Sequence, residues 1–394
     1  AKHGGGGGRI ALVATESLVV TGTLDVGPGL RRGTLGSNGS PGTIFRSDPV
    51  NGPMLLIHDP VGDVANPVLG SSRTGVAVGG PDLHIVVSGK ANLLLYDALE
   101  AASLTLGAGT VVKHNLTTKT AEALGLVMTV GDLVVSAGAL IDVTGRGYLA
   151  RTSYGNAEGA TGASSTRAGG SHGGLGGGTS GRVYGDPFAP GTLGGGGGAG
   201  GATGEIGGSG GGRIRIVADT VLLDGAIAAD GTPGAAGPAG GGAGGSIWLT
   251  TGLLEGEGAI TATGGAAGPT SPGGGGAGGR IRVDYTEASG FDVTRITARG
   301  VGDIAGGPGT VLLAEDGASP ELIVDNGGRD HLNATGPFPQ MGTVEVNGTP
   351  AVGAIKVPLI GTTDFLADQL VGLSVRFTNV PGTYPVSANT LTEV

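Results

Sequence analysis

The sequence predicts an all-β protein: a parallel β-helix or solenoid with glycine-rich excursions and a small β module at its C-terminal end. Three observations carry this. Between Gly207 and Tyr285 the chain makes three similar starts, Gly211-Gly212-Arg213-Ile214-Arg215-Ile216, Gly244-Gly245-Ser246-Ile247-Trp248-Leu249 and Gly278-Gly279-Arg280-Ile281-Arg282-Val283, whose leading isoleucines lie 33 and then 34 residues apart. A fixed period in this range marks stacked repeats. Each start leads into a short apolar strand, a glycine turn, a second strand and a run of almost pure glycine and alanine. The glycine is also gathered into blocks between Val/Ile/Leu strands, which argues for folded structure despite 89 glycines and 21 prolines in 394 residues.

Composition narrows the function classes. Charged residues are only 14% of the chain, too few for a chain held open by self-repulsion. The net charge of −10, aromatics at 3% and a single adjacent basic pair (Arg31-Arg32) leave nucleic-acid binding without its charge or its stacking platforms. No apolar run approaches the roughly 20 residues needed to cross a bilayer, so no membrane span is expected. Residues 1–8, Ala-Lys-His and five glycines, carry no signal-peptide pattern. The absence of cysteine excludes disulfides, thiolate metal sites and cysteine nucleophiles.

In chain order, residues 9–27 carry the template of residues 213–231: glycines, Arg-Ile, Val-Ala, a second strand, a glycine turn. Pro41-Gly42-Thr43-Ile44-Phe45 returns as Pro308-Gly309-Thr310-Val311-Leu312, and Met54 to Asp59 as Glu321 to Asn326, both 267 positions on. Residues 1–60 therefore read as the end of a preceding solenoid unit and residues 61–327 as the next. Residues 61–82 are turn-rich. Short strands follow at 83–87, 93–96, 103–106, 110–113, 126–130, 133–135 and 140–143, several with the period-two alternation of half-buried strands. Ala98–Ala101 and Thr120–Leu124 favour a single helical turn each. Residues 145–212 form a long glycine-rich insert, with shorter ones at 231–245 and 264–279. Residues 328–394 have fewer glycines and strand-like pieces at 343–346, 355–359 and 373–378, and read as a small β module or linker that stops in mid-pattern.

A unit of about 33 residues cannot bury its apolar side chains alone, whereas stacked units pair their strands in parallel and close an apolar interior. The expected inward residues are Ile214, Ile216, Leu222, Ile227, Ile247, Leu249, Leu253, Ile260, Ile281 and Val283. The glycine blocks have nothing to bury, and fixing each residue costs about 1–2 kcal/mol. They are either flexible surface loops or ordered, polyproline-II-like segments that bond laterally. The recurrence of Gly194–Gly201, Gly207–Gly212, Gly240–Gly245 and Gly273–Gly279 at one edge of each coil favours the ordered form.

Chemistry is sparse. No Walker loop, metal-ligand spacing or calcium-binding nonapeptide is present, and no cofactor is expected. The nearest thing to a polysaccharide-cleaving cluster is Asp97, Lys113, His114, Asp132, Asp142 and Arg146, whose spacing shows no stacking at one coil period; a solvated face is the simpler reading. Ser171-His172-Gly173-Gly174, followed by Tyr184-Gly185-Asp186-Pro187, is the one constellation that looks chosen. Adjacent Ser and His side chains rarely meet as nucleophile and base. Ser171, His172, Tyr184 and Asp186 are therefore expected as structural or ligand contacts, with backbone anchoring of the long insert ahead of ligand binding.

With the glycine blocks leading to Gly-Gly-Arg-Ile-Arg-Ile at 211–216 and with Asp224-Gly225-Ala226-Ile227-Ala228-Ala229-Asp230-Gly231, these segments resemble the glycine-rich repeats of very large secreted or cell-surface proteins, mostly bacterial. The stretch from Pro308 to Gly327 is similar to the way such repeats end. Where those repeats carry asparagine before the turn glycine, this chain has Asp230 and Thr263, so an asparagine ladder is not expected. The resemblance implies an extracellular structural or adhesive role without catalytic residues. The leading expectation is a non-enzymatic segment or subunit of a fibre or surface assembly that associates with itself. The alternatives are an adhesin or phage-type receptor-binding module recognising surface glycans, and a polysaccharide-active β-helix enzyme.

Overall fold

The computed structural model describes residues 6–21, 23–26, 41–59, 73–76, 80–117, 125–150, 152–153, 157–158, 166–178, 182–200, 205–270, 273–325, 327, 374–377 and 380–385. It is an all-β parallel solenoid. One sheet of thirteen strands and a second of seven run along the molecule, and the apolar core lies between them. Among the described residues the only helical element is the 3-10 turn Val293–Arg295.

The three isoleucine starts are successive rungs. Arg213–Leu223, Ser246–Gly256 and Arg280–Phe291 pair in parallel, with Ile214 beside Ile247 and Ile247 beside Ile281. The same column extends to Leu126 on one side and Val311 on the other. A second column runs Met128, Ile216, Leu249, Val283, Leu313. Across the core, Leu93, Val112, Ile141, Ile227, Ile260 and Ile296 stack in the seven-stranded sheet. Each of these side chains is buried. At about 1.5–3 kcal/mol apiece they offset much of the ordering cost of their coils.

Leu222 does not belong to this core, and neither does Leu253. Leu222 is 39% exposed, and Val221 and Leu223 point inward in its place; Leu253 likewise yields to the buried Leu254. Strict alternation from Ile214 leads to Leu222, but the pairing register skips Asp219 and the inward phase shifts there by one residue. Gly131 and Gly252, at the same level of the neighbouring rungs, mark the same shift. The helix-favouring Ala98–Ala101 is also corrected: Leu99–Leu106 is a strand, with Leu99 beside Met128 and Ala101 beside Val130. Tertiary pairing overrides a one-turn propensity. The expected turn at 120–124 and the strands at 343–346 and 355–359 lie outside the described residues. The strand expected at 373–378 is present as Ser374–Phe377.

The glycine blocks are built into the fold. Gly194 N–H donates to Gly211 O (2.9 Å), Gly211 to Ala243 (2.8 Å), Gly244 to Ala277 (2.9 Å) and Gly278 to Gly307 (3.0 Å), so each block bonds sideways to the next coil. The corner between block and core closes the same way each time. Gly212, Gly245, Gly279 and Gly309 N–H donate to the carbonyls of Val143, Ala229, Ala262 and Ala298 at 2.6–2.9 Å. The layer is a second core made of backbone, packed against the side-chain core.

Candidate functional site

The constellation singled out in the sequence lies inside this glycine layer. Residues 166–178 run through it as a strap that touches several coils. Gly170 donates to Gly241 (2.8 Å), Ala277 to Gly170 (3.0 Å), Gly174 to Gly278 (3.2 Å) and Gly307 to Leu175 (2.6 Å). Arg167, where the strap begins, holds φ +66 and donates through Nε to Gly200 O (2.9 Å).

Ser171 and His172 are both fully buried. Ser171 Oγ accepts from Gly176 N–H (2.9 Å) and closes a local turn. The His172 ring bridges two segments: Nδ1 lies 2.7 Å from Gly244 O and Nε2 lies 2.8 Å from Thr192 Oγ1. Gly244 O can only accept, so Nδ1 carries the hydrogen and Nε2 accepts from the threonine hydroxyl. Burial first, then the positive charge of Arg280, pushes the His172 pKa down to about 3, although the carbonyls of Gly244 and Gly245 partly offset this. The ring is therefore neutral, with both nitrogens committed.

Tyr184 packs its ring 4.9 Å from that of His172, donates its hydroxyl to Leu193 O (2.8 Å), and donates its backbone N–H to His172 O (3.0 Å). Asp186 stands apart from this group, at the surface, where Oδ1 accepts from Phe188 N–H (2.8 Å) in a local turn. The structure thus brings together three of the four expected residues and joins them to backbone. A Ser–His nucleophile pair is not formed, because the serine faces Gly176 and the imidazole faces Gly244 and Thr192.

Sequence reasoning missed the arginines. In the starts Gly211–Ile216 and Gly278–Val283 the aliphatic side chains point inward and the arginines lie on the opposite face of the strand, where they hold the segment 184–191 against the outer face of the large sheet. Arg213 donates to Gly191 O (2.9 Å), Arg280 Nε to Tyr184 O (2.9 Å) and Arg282 to Phe188 O. Trp248 lies between Arg215 and Arg282, whose guanidinium carbons are 3.9 Å and 5.0 Å from its ring centroid, and its indole N–H donates to Asp284 (2.7 Å). The 33-residue register that aligns the isoleucines also aligns Arg215, Trp248 and Arg282, so the alternate positions of the repeat carried this signal.

The scattered acidic and basic residues do not converge. Lys113 and Asp142 form an ion pair at 3.5 Å, and Arg146 donates to His114 O. Asp132 lies in the other sheet, accepting from Thr220 (2.6 Å). Among the described residues no group of three or more His, Asp or Glu is placed to hold a metal ion, and no helix is long and apolar enough to cross a membrane. Asp230, which stands where the resembling repeats carry asparagine, accepts from Thr263 N–H (2.6 Å), Thr263 Oγ1 (3.0 Å) and Thr261 Oγ1 (3.0 Å) of the next coil. No family model, curated protein or solved structure matches this chain.

Proposed function

We propose that this chain is an extracellular structural protein, a segment or subunit of a fibre or surface assembly whose working element is the stacked solenoid itself. The observation that carries the reading is the use made of the one chosen constellation. Ser171, His172 and Tyr184 are spent on carbonyls, amides and hydroxyls of the chain's own glycine layer. A scaffold is under demand for rigidity along its axis, and a layer of laterally bonded backbone supplies that without side chains. Self-association is part of the proposal, because strand edges of a parallel stack template further pairing. The glycine-rich character it shares with giant surface proteins belongs to the same reading, as does a non-enzymatic role. Electron microscopy of the purified protein is the test. Ordered filaments or lateral sheets are expected, and discrete single particles at every concentration and ionic strength would overturn the assembly reading.

A further inference from the structure

The two ends of the central solenoid are built alike. Thr43–Asp48 and Gly52–Asp59 form an antiparallel pair with Ile44 opposite Leu56 and Phe45 opposite Leu55. Thr310–Glu315 and Glu321–Val324 form another, with Val311 opposite Ile323 and Leu312 opposite Leu322, the same partners 267 positions on. The match extends to single hydrogen bonds. Gly42 N–H donates to Val26 O (2.8 Å) as Gly309 does to Ala298 (2.7 Å), and Thr43 N–H donates to Gly8 O (3.2 Å) as Thr310 does to Gly279 (3.1 Å). Arg9–Val13 runs parallel to Thr43–Asp48, Arg9 beside Thr43, as Arg280–Phe291 runs parallel to Thr310–Glu315, Arg280 beside Thr310.

Each hairpin reverses the strand direction without breaking the thirteen-stranded sheet, and it exchanges the faces. Leu55 and Ile57, after the first hairpin, join the central core. Their counterparts Leu322 and Val324 are equally buried but stand outside that core. Before the second hairpin Val311 and Leu313 are in the central core, whereas Ile44, the counterpart of Val311, is buried outside it. Paired residues of neighbouring strands share a face. Ile10 lies beside Ile44 on this second face, and Leu12 two residues along from Ile10 points the same way.

We infer that the strands Arg9–Val13 and Thr43–Asp48 are the last coil of a solenoid lying on the opposite face of the shared sheet. On this inference the face of Ile10, Leu12 and Ile44, with the outer edge of Arg9–Val13, is a docking seat for a further coil of this chain's own repeat pattern. The partner follows from the equivalent seat inside the chain. Ile281 and Val283, which correspond to Ile10 and Leu12, are buried because Ser246–Gly256 pairs alongside them, Ile247 against Ile281 and Leu249 against Val283. Ile10 and Leu12 are only half-buried, and among the described residues Arg9–Val13 is the terminal strand of its sheet. The occupant is thus a glycine-led strand running parallel to Arg9–Val13, with aliphatic residues opposite Ile10 and Leu12.

Amide hydrogen exchange over residues 9–13 tests this in two settings. In the first, a copy of residues 126–278 is joined directly to Gly8 of the full chain. In the second, the unaltered chain is titrated with a synthetic peptide of residues 240–256. Docking slows exchange at alternate amides of 9–13 by about tenfold or more in at least one setting, and the slowing is abolished by Ile10→Lys with Leu12→Lys. Unchanged exchange over 9–13 in both settings, or slowing that survives the double lysine variant, overturns the seat. Neither outcome depends on filament formation by the unaltered protein, so the seat and the assembly reading stand or fall separately.

Discussion

His114 sits where the repeat asks for an aliphatic residue. It is fully buried, beside Leu95 in the seven-stranded sheet, and the following coils put Val143, Ala229, Ala262 and Ala298 at the matching level. Its Nδ1 lies 2.5 Å from Asn115 O, while Nε2 is buried with no hydrogen-bond partner among the described residues. Burial, more than the nearby charges of Arg146 and Arg213, lowers its pKa to about 4. The sign follows from proton uptake. A histidine whose folded pKa is depressed contributes stability that is present above about 6.5 and lost as pH falls towards the folded value, at about 1.4 kcal/mol per pH unit. His172 acts in the same direction down to about pH 3. His114→Leu should raise stability at pH 7 by about 1 kcal/mol and make the acid limb shallower, measured as urea midpoints at pH 7 and pH 5. An unchanged pH slope would show that His114 does not report the core. Asp230 works in the opposite sense. Its pKa is raised by burial, with the bonds from Thr263 and Thr261 offsetting and the Asp142 charge adding. The stability it contributes is full below about 3.9 and lost as pH rises through the folded value. Asp230→Asn keeps the acceptor for Thr263 and removes the charge, so thermal melting at pH 7 should move upward; a lower melting temperature would mean that the carboxylate is required. Neither effect could be read from the sequence, because both depend on which side chain the fold surrounds with backbone.

At the scale of elements, the strands were legible and their corners were not. Ile214, Ile216, Ile227, Ile247, Leu249, Ile260, Ile281 and Val283 are all buried, because a 33-residue period fixes their register. Leu222 defeats the alternation rule because the inward phase shifts by one residue at Asp219, and a polar residue inside a strand does not announce such a shift. The glycine blocks show why composition alone misleads. Flexible linkers and a packed backbone layer have the same residues, and only the recurrence of blocks at one coil edge separates them. The packed form makes a steric demand. A Cβ on Gly245 would collide with the carbonyl of Gly212, while the Gly245 N–H is bonded to Ala229 O at 2.6 Å. Gly80, by contrast, has no atom within 4 Å of that position. Gly245→Ala should therefore cost about 3 kcal/mol or more, and Gly80→Ala should stay within about 0.5 kcal/mol of neutral. Chemical denaturation of the two variants side by side checks this. Equal, small effects would mean that the layer gives way easily and is not a core.

For the whole molecule, the strap changes how the coils share stability. In a simple repeat array each coil contacts only its neighbours, so stability is a sum of local terms and damage stays local. Here residues 166–178 bond to glycine runs of successive coils, to Gly241, Gly275, Gly278 and Gly307, and His172 ties the strap to Gly244 and Thr192. Removing one buried side chain at the strap should then loosen several coils together. His172→Ala strands a buried carbonyl and a half-buried hydroxyl, a loss of about 2–6 kcal/mol at 1–3 per group. Amide exchange should rise in step across Gly240–Gly245 and Gly273–Gly279, although these runs belong to different coils. Leu249→Ala, of similar cost, has no such reach, and its effect should centre on the strands that flank it, Arg213–Leu223 and Arg280–Phe291. If exchange in the His172 variant rises only at residues adjoining the imidazole, the strap is passive and the coils are independent. If it rises across both runs, the glycine layer is what makes the stack a single cooperative unit, and the imidazole's bonds to Gly244 and Thr192 are what tie its coils together.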